Sequence, residues 1–486
     1  MNSRILMRMT AVILFTALAL PLSLTAQNTR YKLIDLGTFG GPNSFFAGTF
    51  PPAEVVNNAG TAIGTADTSI PDPFFPFCFN PDCFVSHAFK WQNGTLTDLG
   101  VLPGGSSSDA DYISASGRIT GFSQNGLIDP LTGFPEVRAV VWTKDGQIVD
   151  LGTFGGTGSV PNAINDLGDV VGAAQNAIAD PFAFCGCGTQ TRGFLWKKGV
   201  LLDVGTLGGP DAFALFVNNR GQVAGISYTD STPNPSTGIP TVHPFLLENG
   251  RMKDLGTLGG LGLQPFPEVN ALNSRGEVAG ASPLAGDEAH HAFLWDRTLR
   301  DLGTLGGINS EAFWVSDSGL VVGRADFSPQ STNHHAFLWK NGVMTDLGVL
   351  GPCLNSTAIG VNSRGQAIGD TGACPDGGGG PSFFSEHGQP MVDINTLVLP
   401  GSDIEVVDAF YINDAGVVAG GGILPNGDFH DVLLVPASPA EIAAASALGA
   451  SKSAPTLPAH IRNAEDSASS GRNRGLNMFR QTRRLP

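Results

Sequence analysis

The chain is short of charge: only 14% of its 486 residues are Asp, Glu, Lys or Arg. Tyr (4) is scarce beside Phe (30). The abundance of Ala, Glu, Lys and Leu that marks a helical protein is missing, while Gly (65) and Pro (33) supply about a fifth of the residues. Cations are the scarcer sign. Between residues 27 and 435 there are 18 basic against 40 acidic residues, a net charge near −22. Such a field repels nucleic acid and anionic lipid, which both need clustered Lys and Arg, so nucleic-acid binding is excluded as a class. The same field attracts cations. Beyond Leu24 no stretch approaches the ~20 apolar residues that span a bilayer.

The first residues read as a targeting segment. Arg4 and Arg8 give a positive start, Met9 to Leu24 is almost unbroken apolar sequence, and Thr25-Ala26 ends in a small residue. This predicts a secretory signal over 1–26, cleaved near Ala26, with a retained anchor as the alternative. The mature protein is then extracellular or periplasmic, a monomer, with no membrane span. Six cysteines fit an oxidising compartment. They allow fifteen connectivities, and the expectation taken from proximity is Cys78 with Cys83, Cys185 with Cys187 and Cys353 with Cys374. A metal site on Cys185 and Cys187 lacks partners at the usual spacing.

Self-similarity dominates the rest. An Asp-Leu-Gly step, or a variant of it, recurs at Asp35, Asp98, Asp150, Asp203, Asp254, Asp301, Asp346 and Asp393, usually followed by Thr-Leu/Phe-Gly-Gly. A second landmark has the form apolar-Asn-x-x-Gly-x-Val-x-Gly, as in INDLGDVVG from Ile164 and VNNRGQVAG from Val217. The third is a strand beginning with His or Arg: HAFKW at 87, RAVVW at 138, RGFLW at 192, HPFLL at 243, HAFLW at 291 and 335, with PSFFS at 381 and HDVLL at 430 as degenerate copies. Short apolar runs bounded by Gly, Asn and Asp are strands between tight turns. The Asn-x-x-Gly and Asn-Gly steps supply residues that tolerate positive φ. Four strands in about 50 residues, iterated without helical periodicity, predict an all-β fold: a β-propeller of eight four-stranded blades over 27–435, with seven as the alternative. If the Gly-Val-x-Gly strand is innermost, the last blade takes two strands from each terminus, and that clasp closes the ring.

The three motifs, HAFLW, DLGTLGG and INxxGxVVGxS, resemble those of the HAF family of probable extracellular repeat proteins, over roughly residues 31 to 435. The resemblance implies secretion and repetition. It carries no catalytic residue and no ligand. Residues 436–486 turn to Ala, Ser, Pro and Arg and read as a disordered tail, with a short Ala-rich helix possible at 440–449.

Candidate chemistry is sparse. Histidines at 87, 243, 291, 335 and 430 open the third-landmark strands, but each lies in a different blade, too far apart to share an ion. A structural hydrogen bond to the repeated Asp or a turn carbonyl is the expectation. Tryptophans 91, 142, 196, 295 and 339 share one repeat position, which suits blade packing; Trp314 is off-pattern. No Asp-x-Asp-x-Asp-Gly loop, phosphate cradle or Gly-x-Ser-x-Gly elbow is present. No catalytic, metal or cofactor residue is therefore assigned. The informative features break the repeat. From the Gly of Val-x-Gly to the third landmark, the loop spans 23, 17, 20 and 18 residues in repeats one to four but 11, 12, 12 and 10 in repeats five to eight. Two of the long loops hold Phe and Cys together. Phe74, Phe75, Phe77, Phe79, Phe182 and Phe184 are the candidate ligand platform, against the alternative of a small loop core. The expected function is non-enzymatic binding or scaffolding of an unknown protein, peptide or glycan. The alternative is an extracellular glycan hydrolase or lyase with carboxylates at the channel mouth.

Overall fold

Asn-Gly pairs close the outer hairpins of this chain. In the computed structural model, Asn93-Gly94, Asn249-Gly250 and Asn341-Gly342 all have positive φ at both residues, the conformation that lets a two-residue turn follow the twist of its strands. The structure describes residues 29–447 apart from 47–52, 77, 131–132, 262–267, 332 and 376–378. The expected signal segment and most of the tail lie outside the described residues.

Eight four-stranded antiparallel sheets form the ring, a β-propeller. Blade four shows the plan: Ala212–Val217 is innermost, followed by Val223–Tyr228, Val242–Glu248 and the outer Arg251–Asp254. The Gly-Val-x-Gly strand is therefore second, not innermost. The innermost strand is the weaker-patterned segment that precedes the Asn-x-x-Gly turn. This rephasing changes the clasp: Tyr31–Asp35 is the outer strand of blade eight, and Glu405–Ile412, Val418–Ile423 and Phe429–Pro436 supply the other three. One strand comes from the N-terminal end and three from the C-terminal end, where two from each were expected.

Two of the motifs are one device. Gly225 of the second strand pairs in register with Phe245 of the third. A Cβ on Gly225 would overlap the carbonyl oxygen of Phe213 on the inner strand and sit 2.9 Å from the Phe245 ring. Gly172 stands in the same relation to Val160 and Phe194. The glycine lets the ring lie flat against the sheet, and Phe89, Phe194, Phe245, Phe293, Phe337 and Phe383 are all fully buried this way. Trp91, Trp142, Trp295 and Trp339 are buried at the far end of their third strands, with Val140 taking the phenylalanine's place in the strand of Trp142.

In blades one, two, three, six and seven a serine of the inner strand staples the blade to the one before. Ser108 Oγ accepts from Ala88 N (2.9 Å) and donates to Gly100 O (2.7 Å). Ser356 repeats both bonds at Ala336 N (2.8 Å) and Gly348 O (2.6 Å). Ser44 takes the equivalent bond from Asp431 N at the closing seam (2.8 Å). The chain continues past blade eight into an exposed helix, Pro439–Ala447.

Candidate functional site

The inner hairpin turns converge on one end of the channel. In blade four, Asn218 Oδ1 accepts from Arg220 N (3.0 Å) and Gln222 N (3.1 Å), while its Nδ2 reaches Asn273 O of the next blade (3.1 Å). Asn165 bonds Asn218, Asn273 bonds Ser316, Asn362 bonds Asn413 and Asn413 bonds Asn57 in the same way, at 2.9–3.1 Å. The repeated Asn thus serves the turn and the neighbouring blade at once. Serine replaces it at Ser114 and Ser316, and there the onward bond is lost.

Seven inner strands carry a β-bulge one residue before the channel-lining position. In blade one Val55 and Val56 take the equivalent place, with Ile63 N bonded to Val55 O and Val56 bridged to Ala62. The residue two before the turn then runs Val55, Tyr112, Ala163, Phe216, Ala271, Trp314, Gly360, Tyr411 around the ring, small alternating with aromatic. Trp314 and Tyr411, on either side of blade seven's Gly360, meet edge to face with centroids 5.7 Å apart. Trp314, the off-pattern tryptophan, is a half-buried channel residue.

Tyr112, Ala163, Phe216, Ala271, Trp314 and Tyr411 line a cavity of about 250 Å³ together with Glu54, Asp166, Asp317 and Asp414. No Lys, Arg or His is among its lining residues. Three of the carboxylates are engaged by turn backbone: Asp166 accepts from Ser116 N (2.6 Å), Asp317 from Ser274 N (2.8 Å) and Asp414 from Ser363 N (2.8 Å). Glu54 differs. Its side chain is exposed to the channel, yet the ring encircles it, and this enclosure followed by Asp317, Asp166 and Asp414 pushes its carboxyl up to about 7. Burial, then Glu54, holds the Tyr411 phenol well above its ordinary range.

Antiparallel alternation puts the loops between second and third strands on the opposite face. Blades one to three carry ten-residue second strands there, Ala62–Pro71, Ile119–Ile128 and Val170–Ala179, against six in blades four, five, six and eight. The sixth residue past the strand glycine is Ile70, Leu127 and Ile178 respectively, each 57–59% exposed. The phenylalanines of the candidate platform divide. Phe79 packs on Phe122 (5.6 Å), and Phe184 packs on Tyr228 (4.2 Å) and Phe213 (5.1 Å). Phe74 and Phe182 are half-buried, each N–H held by the preceding Asp, Asp72 or Asp180, at 2.8 Å. Phe75 is 77% exposed, and Phe77 lies outside the described residues. Disulfides join Cys78 to Cys83, Cys185 to Cys187 and Cys353 to Cys374.

The histidines do what their spacing predicts. His87, His243, His291, His335 and His430 bond Asp98, Asp254, Asp301, Asp346 and Asp35 through Nδ1 at 2.8–3.0 Å, and Arg192 bonds Asp203. Among the described residues no group of three or more His, Cys, Asp or Glu could hold a metal ion, and no helix is long and apolar enough to cross a membrane.

The chain is an eight-bladed β-propeller with a channel cavity at one face and an apolar canopy on three adjacent blades of the other. No family model matches it, and no curated protein does. Among solved structures it is similar to dipeptidyl peptidase 4 of Porphyromonas gingivalis, at 10% identity over 76% of this chain and 56% of that one, with a TM-score of 0.46. This chain therefore spans just over half the length of that peptidase. It is also similar to the β-propeller domain of the Trilobed protease from Pyrococcus furiosus (9% identity, 75% and 95% covered, TM-score 0.38). An ulvan lyase bound to its sugar is a third (12% identity, 85% and 99% covered, TM-score 0.37). At these identities the likenesses bear on neither substrate nor partner.

Proposed function

We propose that the protein is an exported HAF-type repeat propeller that binds a protein partner through the canopy of blades one to three, without catalysis. The observation that carries this is the row of Ile70, Leu127 and Ile178, one exposed aliphatic at the same position in three consecutive blades, with exposed Phe75 in the same loop system. Single exposed aliphatics are ordinary, but an aligned set raised above a ring by lengthened strands is an apolar surface awaiting cover. Aliphatic tips suit apolar side chains of a peptide or protein better than a glycan, which stacks on aromatic faces. The three disulfides and the −22 body fit an oxidising, extracytoplasmic setting.

The test is peptide-phage selection on the purified protein, followed by affinity measurement on an Ile70→Asp/Leu127→Asp/Ile178→Asp variant. Selected apolar peptides should bind at least tenfold more weakly to the variant, whose melting temperature stays within a degree or two because the three side chains are exposed. Peptides indifferent to these substitutions would sink the reading.

Glu54 favours a second reading, a glycan hydrolase or lyase at the channel mouth, because a carboxyl near 7 is suited to general acid chemistry at neutral pH. Paired-carboxylate hydrolysis needs a second free carboxylate, and the three rim aspartates are occupied by turn N–H groups. Turnover of a polysaccharide by the wild type and its loss in Glu54→Gln would move the function to the channel.

A further inference from the structure

We propose that Asp67, Asp82 and Asn80 form a divalent-cation site, of calcium's chemistry, which braces the blade-one canopy loop that carries Phe75. Asp67 is fully buried in the middle of the second strand, Ala62–Pro71. Its Oδ1 accepts from Ser86 Oγ (2.7 Å) and its Oδ2 from Asn43 N (3.1 Å). Asp82, from the segment enclosed by the Cys78–Cys83 bridge, lies against it, carboxyl to carboxyl, with Oδ2 held by Asn43 Nδ2 (2.7 Å). Asn80 is also fully buried, and its Nδ2 donates to the same Ser86 Oγ (2.5 Å). Two oxygens of this cluster, Asp82 Oδ1 and Asn80 Oδ1, are buried with no hydrogen-bond partner among the described residues. Neither carboxylate has an ion-pair partner among those residues.

Two explanations are available for touching buried carboxylates: a shared proton or a bound cation. Burial and the neighbouring Asp82 do raise the Asp67 carboxyl. A single proton, however, relieves the carboxyl contact and leaves Asn80 Oδ1 without a donor. A cation satisfies all the free oxygens together. Blade three supplies the contrast. There Asp180 touches Asp211, but Asp211 takes Thr191 N (3.0 Å) and Phe184 N (2.7 Å), Asp180 Oδ1 takes Phe182 N (2.8 Å), and only Asp180 Oδ2 lacks a partner. One shared proton accounts for that pair. At the blade-one cluster the free donors are all oxygen, and both nearby cysteines are tied in a disulfide. Carboxylate and amide oxygens select a hard cation, and calcium's six to eight ligands leave room for water beside these side chains. Asn80 and Asp82 share the Cys78–Cys83 loop while Asp67 comes from the second strand, so the set does not show the spacing of a contiguous calcium loop. A cation here orders the loop, and by mass action it stabilises the fold.

The test is thermal melting and calorimetric titration of the chelator-stripped protein with CaCl2, and with MgCl2 for comparison. Calcium should bind saturably at one site and raise the melting temperature by several degrees. Asp82→Asn and Asn80→Ala should each lose at least tenfold in calcium affinity, and Asp180→Asn should keep the wild-type response. A wild type indifferent to calcium overturns the proposal, as does a response retained in both cluster variants. An Asp82→Asn protein that melts higher than wild type in chelator, when wild type shows no calcium response, assigns the cluster to a shared proton.

Discussion

At the residue scale, Glu54 is where folding and environment disagree most clearly in sign. In the unfolded chain its carboxyl titrates at the ordinary 4.5, and in the ring at about 7. Between those values the folded protein holds a proton that the unfolded chain has released, so stability falls as pH rises through the window. Glu54→Gln removes the penalty. The variant should match wild type below pH 4.5 and exceed it above pH 7, by about 1 kcal/mol once screening by channel water is allowed for. Denaturant unfolding of both proteins across pH 4 to 8 checks this, and a difference that does not grow with pH would show that Glu54 is solvated like a surface acid. Nothing in the residue type announced this role. Glu54 lies just before the first Asn-x-x-Gly turn, where the first repeat carries extra residues between Ser44 and Asn57, and that break in the repeat was the available signal. The aliphatic row was hidden for another reason. Ile70, Leu127 and Ile178 share an offset from the strand glycine, but exposure depends on whether that strand continues above the ring, which loop length alone does not reveal.

At the element scale, the inner hairpin is the joint between blades. Asn218 closes its own turn with Oδ1 and reaches blade five with Nδ2. Asn218→Ala abandons buried turn N–H groups and the Asn273 carbonyl together, and should cost roughly 2–3 kcal/mol. Serine at the same position keeps part of the turn: Ser114 Oγ accepts from Arg118 N (3.2 Å) and Ser316 Oγ from Leu320 N (3.1 Å). Asn218→Ser should therefore cost about half as much as alanine, measured by the midpoint of urea unfolding. Equal losses would mean that the bond to blade five carries the whole effect. The turns and the third strands were legible because their chemistry is local: Asn-Gly demands positive φ, and Phe demands the facing glycine. Strand phasing was not. The inner strands are bulged and vary from the small residues of STAIG at 356–360 to AFALFV at 212–217, so they share no strong alternation. The second strand, packed between two others, has the strongest apolar pattern and for that reason passes for the centre.

At the scale of the whole molecule, eight repeats in order imply a ring, but how the ring shuts depends on one short strand. Tyr31–Asp35 pairs along Val432–Pro436, Asp35 bonds His430 (2.8 Å), and Leu399 N reaches Tyr31 O (2.7 Å). The seam between blades eight and one has further ties at Ser44, Asn43 and Asn413. Tyr31 is the anchor, fully buried with its ring edge-on to Phe384 at 5.8 Å. Its hydroxyl is buried without a partner among the described residues, so the ring body packs favourably while the oxygen pays for lost water. Two substitutions separate these contributions. Tyr31→Phe keeps the packing and sheds the orphaned hydroxyl, and should be neutral or up to ~1 kcal/mol more stable. Tyr31→Ala empties the anchor and should cost roughly 3–5 kcal/mol. Deleting residues 29–36 goes further, because it leaves Phe429–Pro436 as an open edge with unpaired backbone groups. That protein should melt lower and self-associate more than the full chain in sedimentation experiments, and a synthetic peptide of residues 29–36 should restore the full chain's sedimentation behaviour. A truncated chain that sediments and melts like the full ring would place closure in the inner-strand seam, with the outer strand no more than a cover.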